Sequence, residues 1–383
     1  MEMKKYKLGD ILVNHDRRRI PLSSKVRSGR KGNFRYYGAQ GVVDYIDDYI
    51  FDGEYVLIAE DGENLRSRNQ NVANLVSGQF WVNNHAHIVT TNEKCDLHYF
   101  YYAFNFLQID GYISGSAQPK LSQDSLNRIE MTIPDLQTQK GIASFLFTID
   151  KRIENLRAQN RVLEQTAKTI YDYTFLQCAG HQTTYNKTLN RNIPADWEID
   201  NLYRIADFTN GLTCQKYRPI TEKEKLPVIK IREMHDGVTA DTEFVRSDIP
   251  EKVIVNPGDL LFSWSASLEV MMWNGVKGGL NQHIFKVTPK EYFSLYFVYF
   301  QLKDYIGNFK RMAEARKTTM GHITTDHLNQ SRIAIPDKET MKRFSSQVTP
   351  LFKKQLVNSQ QIETLTTQRN TLLPLLMTGQ IEV

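Results

Sequence analysis

Residues 121–134 read LSQDSLNRIEMTIP, and residues 323–336 read ITTDHLNQSRIAIP. Placed over one another without a gap, the two segments share Asp, Leu, Asn, Ile and Pro at the same positions, and the offset from Pro134 to Pro336 is 202 residues. In both halves the proline is followed by Asp and then by a long stretch with a helical pattern. The chain therefore repeats one unit, which predicts a pseudo-twofold protein that suits a target made of two parts.

The composition predicts a cytoplasmic chain. Its 383 residues, 41% of them hydrophobic, can fill two or three cores. No run reaches the roughly 18 unbroken apolar residues that a membrane helix needs, and the start, MEMKKY, lacks an apolar signal segment. Three widely spaced cysteines predict reduced thiols rather than a disulfide framework. The net charge of +5 says little about a partner, whereas the placement of the charges says more.

Residues 16–35 form a strongly basic segment that carries eight Lys and Arg against one acid, Asp16. Glycines punctuate the segment and Tyr36 and Tyr37 follow it, so we predict a basic loop that ends in aromatic residues. Lys and Arg in such a loop can neutralise phosphates, and Arg can also read guanine edges. The alternative is a solvated surface loop. A weaker basic cluster lies just before the second repeat segment, at the place that Lys120 holds in the first half: Lys310, Arg311, Arg316, Lys317 and His322.

Ahead of each repeat segment, short β-branched or aromatic runs lie between Gly, Asn and Asp clusters, a pattern that predicts strands. We expect strands at 55–59, 80–82, 86–89, 227–231, 259–264 and 283–287, and buried aromatic-rich helices at 99–107 and 292–302. Each half therefore begins as an α+β domain. The starts LGDI at 8–11 and LYRI at 202–205 correspond, but the sequences that follow them barely resemble each other. A shared scaffold with unlike loops predicts unlike targets.

Downstream of each repeat segment the pattern predicts one long helix. Asp135 can cap the first helix, and residues 142–179 contain neither Gly nor Pro, enough for a rod of roughly 55 Å. In the second helix, Pro350 is expected to end a short helix and start the main one, and Pro374 to kink the last turn.

The long helices carry a coiled-coil pattern, because apolar or small residues step alternately by four and three. Asn160 lies in the middle of this seam, where a buried polar group can fix the register at some cost in stability. The predicted seam residues are Ile149, Ile153, Leu156, Asn160, Leu163 and Ile170 in the first helix and Leu351, Ile362, Leu365 and Leu372 in the second. Antiparallel pairing would make the helices a spacer between two DNA half-sites, one or two turns of about 34 Å apart. The alternative is a hairpin that only buries its own seam.

Several motifs, in their order along the chain, resemble the specificity subunit of type I restriction-modification systems. They are IPDLQTQKGIA at 133–143, Trp197 at the opening of the second half, NPGDLLFSWS at 256–265, GLNQHI at 279–284 and LLMTGQI at 375–381. In addition, DGEYVLIAEDG at 52–62 resembles one variety of target recognition domain. The likeness spans essentially the whole chain, although the second helix begins with DKET at 337–340 in place of the usual Glu-Gln.

This resemblance implies an α+β fold with two pseudo-twofold-related target recognition domains separated by an antiparallel coiled coil of two long helices. The expected boundaries are 1–134 for the first recognition domain, 135–180 for the central spacer helix, 181–194 for a linker, 195–336 for the second recognition domain and 337–383 for the C-terminal spacer helix.

The resemblance also implies a non-catalytic subunit in which each domain reads one half of a bipartite, gapped DNA site. The helices would dock two methyltransferase subunits, which transfer a methyl group from S-adenosylmethionine to adenine, and restriction subunits that use ATP and Mg²⁺. No cofactor is expected on this chain, and the sequence agrees, because it has no Gly-rich cofactor loop after a strand, no Asn/Asp-Pro-Pro-Tyr/Phe motif and no Walker loop. The alternatives are a stand-alone DNA-modifying enzyme and a coiled-coil adaptor that does not bind DNA.

The side chains predicted to contact DNA are mostly basic or amide residues on the expected loops. In the first half they are Arg27, Arg30, Lys31, Arg35, Tyr36, Arg66, Arg68, Asn69 and Lys120. In the second half they are Lys216, Arg218, Lys230, Arg232, Lys277, Gln282, Lys317 and His322. His85, His87, Cys95 and His98 are of types that bind metals, but their spacing matches no closed zinc pattern. We therefore predict neither a metal site nor a catalytic residue.

Overall fold

The computed structural model describes residues 2–220, 224–265, 267–315 and 325–382. The chain forms two compact units, one of Met1–Ile153 with Thr364–Val383 and one of Glu154–Glu363. Each unit contains one α+β region and a part of both long helices. The boundaries that the sequence suggests for the recognition domains and the linker stay a prediction.

The first unit is built around a sheet whose strands come from the region ahead of the first repeat segment. Its strands are β1 (Lys4–Lys7), β2 (Leu12–Asn14), β3 (Lys31–Gly38), β4 (Gly41–Ile46), β5 (Phe51–Ala59), β6 (Ala73–Val82), β7 (Ala86–Thr91) and β8 (Glu130–Ile133). Its helices are α1 (Ser24–Ser28), α2 (Asn64–Ser67), α3 (Leu97–Phe106), α4 (Gln123–Arg128) and the first part of α5 (Leu136–Tyr171). In the described part of this unit, six strands form one sheet in the order β2-β7-β5-β6-β3-β4.

Strand β5 lies inside this sheet, and Val56, Leu57 and Ile58 are buried in sequence rather than alternately. Such a run is typical of a strand covered on both faces. One face contacts α3, which Asp96 caps by accepting a hydrogen bond from the Tyr99 amide at 2.9 Å, and Phe100 is fully buried. The opposite face carries the smaller core around Phe51 and Phe80.

The second unit has more and shorter strands. They are β9 (Thr183–Asn186), β10 (Arg191–Pro194), β11 (Glu198–Asp200), β12 (Ala206–Asn210), β13 (Lys225–Ile229), β14 (Phe244–Arg246), β15 (Ile254–Val255), β16 (Leu260–Ser263), β17 (Glu269–Met272), β18 (Gly278–Leu280), β19 (Ile284–Pro289) and β20 (Ile333–Ile335). Its helices are the rest of α5, α6 (Leu202–Ile205), α7 (Ile231–Asp236), α8 (Leu295–Ala315), α9 (Thr325–Gln330) and most of α10 (Lys338–Met377). Among the residues that the structure describes, two four-stranded sheets form, β12-β19-β16-β17 and β14-β13-β18-β15.

The two repeat segments fold in the same way. In the first unit β8 pairs antiparallel with β1, and in the second unit β20 pairs antiparallel with β11. Each partner strand leads into a helical turn at the predicted starts LGDI and LYRI. Leu8 donates its amide hydrogen to the Ile129 carbonyl at 2.8 Å, and Leu202 donates its own to Ser331 Oγ at 2.9 Å. This strand-and-turn clamp, present in both units, confirms that the chain repeats one scaffold.

The predicted elements agree largely with the fold, and the α+β class is confirmed. The expected strands fall in β5, β6, β7, β13, β16 and β19, and the aromatic helices are α3 and α8. The strand predicted at 227–231 is too long, because Ile231 opens α7. The helix predicted at 292–302 corresponds to α8, which extends from Leu295 to Ala315. No helix within the described ranges has an 18-residue stretch apolar enough to cross a membrane.

Helix α5 begins as predicted, because Asp135 Oδ1 accepts hydrogen bonds from the Gln137 and Thr138 amides at 3.0 Å. It continues into a π-helical turn at Asp172–Leu176. In the second unit the contacting parts of α5 and α10 run antiparallel, since Asn160 meets Asn358 while Tyr171 meets Phe344.

Helix α10 passes through Pro350 without a break, so the prediction that this proline separates two helices is wrong. Pro350 removes one intrahelical hydrogen bond, but it lies on the exposed face with Ser346, whose carbonyl loses that partner. Phe344, Val348 and Phe352 are buried on the other face. Their tertiary packing stabilises the helix across the proline. Pro374 lies in the last turn, and α10 ends at Met377.

Candidate nucleic-acid interface

The basic segment at residues 16–35 is more ordered than the predicted loop. It contains a 3₁₀ turn at Asp16–Arg18, the short helix α1 and the start of strand β3. Ser23 caps α1 by accepting a hydrogen bond from the Val26 amide at 3.3 Å. The prediction of one loop up to Arg35 is therefore wrong, because β3 gains two partners, β4 and β6, that the sequence did not reveal.

Three predicted contact residues in this segment form ion pairs with strand β4 and the turn after it. Arg27 Nε lies 3.1 Å from Asp44 Oδ2, and Lys31 Nζ lies 2.6 Å from Asp44 Oδ1. The hydrogen bond from Lys31, with those from the Tyr45 amide and Arg27, lowers the pKa of Asp44 to about 2. Arg30 pairs with Asp47 at 2.8 Å. The structure therefore brings Arg27 and Lys31 together on one carboxylate.

Arg35 and Tyr36 lie in strand β3 rather than in a loop. Arg35 donates from Nη2 to the Ser77 carbonyl at 2.5 Å, and its guanidinium stands over the Tyr37 ring. Tyr36 is 0% exposed, and its hydroxyl accepts a hydrogen bond from the Leu22 amide at 2.9 Å. A fully buried ring cannot reach DNA, so the structure corrects the prediction for Tyr36, which instead holds the Leu22 backbone.

The remaining predicted residues of the first unit lie around helix α2 and the first repeat segment. Arg66 donates to the Ser116 and Gly115 carbonyls, and Lys120 pairs with Glu60 at 3.4 Å. Arg68 has a positive φ and donates to the Leu107 carbonyl at 2.6 Å, and burial lowers the pKa of its guanidinium. Asn69 is exposed.

In the second unit, three predicted cations surround Glu243. Lys230 Nζ lies 2.5 Å from Glu243 Oε1, and the hydrogen bond and charge of Lys230, with the charges of Arg218 and Arg232, lower the pKa of that carboxylate. Arg232 also pairs with the buried Glu233 at 2.9 Å. This group of basic side chains comes from residues 218–232, which the sequence predicted as separate contacts.

Other predicted residues of the second unit are more open to solvent. Lys216, Arg218 and Lys277 are exposed, and none of them forms an ion pair within the described ranges. Gln282 is half-buried beside His283, with 3.2 Å between the two Nε2 atoms. Lys317 and His322 lie outside the described residues.

The sequence missed the acidic partners of these cations. Asp44 and Asp47 follow the turn at Gly41, and the pattern of a second strand there, YYGAQGVVDYI at 36–46, is the signal that could have placed them. Glu243 lies 13 residues from Lys230, and only the β13–β14 pairing brings the two together.

The predicted seam residues lie on α5 and α10 and differ in burial. Ile149, Ile153 and Leu156 are buried. The others, Leu163, Ile170, Leu351, Ile362, Leu365 and Leu372, are half-buried. Asn358 is fully buried, and its Nδ2 donates to Asn160 Oδ1 at 2.9 Å, while Asn160 Nδ2 donates to Ser359 Oγ at 3.1 Å. The seam pattern of the second helix includes Asn358 as a polar interruption, but the sequence did not predict that it pairs with Asn160.

The histidines of the first unit that could bind a metal each pair with a different carboxylate. His85 pairs with Asp61, His98 pairs with Glu54, and His87 pairs with Asp16. Burial raises the pKa of the Cys95 thiol to about 12, with a smaller contribution from Asp96. In the part of the chain that the structure describes, no group of three or more His, Cys, Asp or Glu side chains could hold a metal ion.

A duplicated α+β chain with clustered cations in both halves has the architecture of a two-site DNA-binding protein. The sequence profile of the type I restriction modification DNA specificity domain matches residues 1–165 and again residues 194–367. Since these matches cover most of the chain, the chain belongs to this family. The resemblance that the motifs suggested is thereby confirmed, as is the class of function, a type I specificity subunit.

Individual relatives agree with the family. The type I restriction enzyme MjaIX specificity subunit of Methanocaldococcus jannaschii is 27% identical over 305 residues, which are 74% of this chain and 69% of that protein. The HindI specificity subunit of Haemophilus influenzae is 23% identical over 328 residues, 69% of this chain and 71% of that protein. The crystal structure of a type I S subunit from M. genitalium has a TM-score of 0.66 at 14% identity, covering 98% of this chain and 96% of that chain, and supports the fold.

Proposed function

We propose that the chain reads a bipartite, gapped DNA sequence, with one recognition domain on each half-site, inside a type I restriction-modification complex. The observation that carries this proposal is the double occurrence of the specificity domain on a repeated clamp. The clamps are alike, whereas the sheets differ, one of six strands in the first unit and two of four strands in the second, among the described residues. Unlike surfaces on one scaffold suit two different half-sites.

The basic residues support contact with DNA in both units. Lys216, Arg218 and Lys277 are exposed and can meet phosphates directly. Arg27, Arg30 and Lys31 would have to exchange their carboxylate partners for phosphates or base edges on binding. Lys216, Arg218 and Lys277 should therefore meet phosphates without rearrangement. Arg27, Arg30 and Lys31, like the paired Lys230 and Arg232 of the second unit, should first have to leave their carboxylates.

The long helices would dock methyltransferase subunits. In the second unit, α5 and the following π-helical turn expose Val162, Thr166, Thr169, Tyr173 and Leu176 at steps of three and four, which places them on one face. Val162 is 65% exposed and Tyr173 is 60% exposed, large values for such side chains. A partner helix or sheet surface would cover this stripe.

The chemistry would belong to the partners. The methyltransferase subunits would bind S-adenosylmethionine and methylate adenine, and the restriction subunits would use ATP and Mg²⁺ to translocate and cleave DNA in the cytoplasm. The residues of this chain would bind the duplex, fix its register and hold the partners at a set distance from the target bases.

The test is a genome-wide map of N6-methyladenine in cells that carry the chain and its methyltransferase, compared with cells that lack only this chain. We expect one gapped motif to disappear. The variants Arg30→Ala/Arg35→Ala should weaken binding through the first half-site by about 1 to 3 kcal/mol for each base that the altered side chains no longer reach. Methylation by the purified chain alone would instead favour a stand-alone enzyme, and the absence of salt-dependent DNA binding would favour an adaptor.

A further inference from the structure

A basic groove lies on the exposed face of α10 in the second unit. It has a volume of about 750 Å³ and is lined by Tyr292, Lys338, Lys342, Ser345, Ser346, Thr349, Pro350 and Lys353. The docking role proposed for the long helices rests on an exposed stripe of α5 and names no residue of this groove. No lining residue is acidic, whereas three are lysines and three carry hydroxyl groups on aliphatic side chains.

The helix places the lysines and hydroxyls in one row. Lys338, Lys342, Ser345, Thr349 and Lys353 follow one another at steps of four, three, four and four, and such residues share a helix face. Fifteen residues of helix span roughly 22 Å. The row is therefore long enough to follow an extended polyanion rather than a single small ion.

The lysines are available for a ligand. None of Lys338, Lys342 and Lys353 forms an ion pair among the described residues, and all three are exposed. Lys338 Nζ lies over the Tyr292 ring, 5.4 Å from its centroid, and Tyr292 is fixed by donating a hydrogen bond to the Pro336 carbonyl at 3.0 Å. The ring therefore holds one ammonium group at the mouth of the groove.

We infer that this groove binds the sugar-phosphate backbone of double-stranded DNA and so adds a sequence-independent contact outside the recognition sheets. Lys, Ser and Thr side chains are common phosphate ligands, whereas the lining offers no Arg, Asn or Gln to read base edges. The inference rests on the proposed function, because it assumes that the chain binds DNA.

The experiment measures binding of the full-length chain to two duplexes over a range of salt concentrations, one duplex with the target motif and one without it. For Lys342→Gln/Lys353→Gln, we expect the slope of log K against log salt to fall by about 1.8 on both duplexes, from 0.9 per phosphate contact. The methylated motif should stay the same. Lys354→Gln is the matched control, an exposed lysine on α10 outside the groove, and it should leave the slope unchanged.

An unchanged slope in the double variant would overturn the inference, and so would a decrease confined to the motif-bearing duplex. Normal DNA binding with weaker assembly onto the methyltransferase subunit would also overturn it and would assign the groove to an acidic protein surface. If the unaltered chain bound neither duplex, the proposed function itself would fail, and that result is distinguishable because it needs no variant.

Discussion

Among the described residues, each unit buries one carboxylate, Asp16 in the first unit and Glu233 in the second, and their hydrogen-bond partners lie at different separations along the sequence. Asp16 accepts hydrogen bonds from His87 Nδ1 at 2.6 Å and from the Ile88 amide at 2.8 Å, more than 70 residues away in sequence. Glu233, in helix α7, accepts hydrogen bonds from the Lys230 amide at 3.2 Å and from Thr242 Oγ1 at 3.1 Å, all within residues 230–242. Asp16 therefore connects elements that are far apart in the sequence, whereas Glu233 connects residues that are close in the sequence.

The cations predicted to contact DNA are also paired differently in the two units. In the first unit Arg27 and Lys31 are held by Asp44, a residue of the neighbouring strand. In the second unit Lys230 pairs with Glu243, whereas Lys216 and Arg218 are exposed and form no ion pair among the described residues. The paired strands and the helical turn are thus the same in both units, whereas the polar contacts of the basic residues differ. This is expected where the scaffold maintains the fold and the surfaces set the targets.

The largest expected effect is a difference in stability between variants of the two buried carboxylates, Asp16 and Glu233. Asp16→Ala should lower the free energy of unfolding of the first unit by about 3 kcal/mol, because it leaves His87 and the Ile88 amide without their buried acceptor. Glu233→Ala should cost the second unit only about 1 to 2 kcal/mol, since the Lys230 amide and the Thr242 hydroxyl are neutral donors and the partly exposed Arg232 can be solvated. Hydrogen exchange of peptides from 73–91 and 260–289 can follow each unit separately. Equal losses in the two variants would contradict the comparison.

The lowered pKa of Asp16 predicts that the stability of the first unit depends on pH. Burial alone would raise the pKa of Asp16, but hydrogen bonds from His87 and the Ile88 amide, with the charges of His87 and Arg19, hold it below its usual 3.8. A carboxyl group with a lowered pKa stabilises the fold above its unfolded value and loses that contribution as the pH falls through its folded value. The protection of residues 73–91 should therefore decline below about pH 4, and Asp16→Asn should remove this part of the decline.

The next effect concerns the helix contact of the second unit. Asn358→Leu should cost about 2 kcal/mol, because Asn160 Oδ1 loses its donor in the seam. The double variant Asn160→Leu/Asn358→Leu should recover the stability, since Asn358 Oδ1 is already buried without a hydrogen-bond partner. Urea unfolding followed by hydrogen exchange in 154–176 measures both. A double variant as unstable as the single one would show that the asparagine pair stabilises the helices rather than fixing their register.

The sequence predicted Asn160 in the seam but not its partner, for a physical reason. The repeat offset of 202 residues relates Asn358 to Leu156, and only the antiparallel packing of α5 and α10 places it beside Asn160. Similarly, the pattern of repeats and aromatic runs gave the clamp and the strands, because they depend on local periodicity. The burial of Tyr36 and the pairing of Asp44 depend on strand register and could not be predicted.

A smaller effect tests whether the first unit masks its cations. Asp44→Asn should free Arg27 and Lys31, and the slope of log K for DNA against log salt should steepen by up to about 0.9 for each cation that then meets a phosphate. In the second unit, Lys216→Gln/Arg218→Gln should reduce the slope by about 1.8. Asp196→Asn changes the net charge equally without freeing a paired cation, so it is the control. An Asp44→Asn slope that matches this control would mean that Arg27 and Lys31 do not reach DNA.

The smallest effect contrasts the polar helix contacts of the two units. In the first unit Arg369 Nη1 lies 2.7 Å from Asp150 Oδ1, and the two side chains are 31% and 22% exposed. Because solvent screens a partly exposed ion pair, Arg369→Gln should cost no more than about 0.5 to 1 kcal/mol, and Asp150 keeps the hydrogen bond that Tyr102 donates at 2.7 Å. The protection of residues 136–153 should fall slightly and should fall less at high salt, where the pair is already weakened. A destabilisation as large as that of Asn358→Leu would mean that the ion pair, like the buried asparagines, holds the two helices in place.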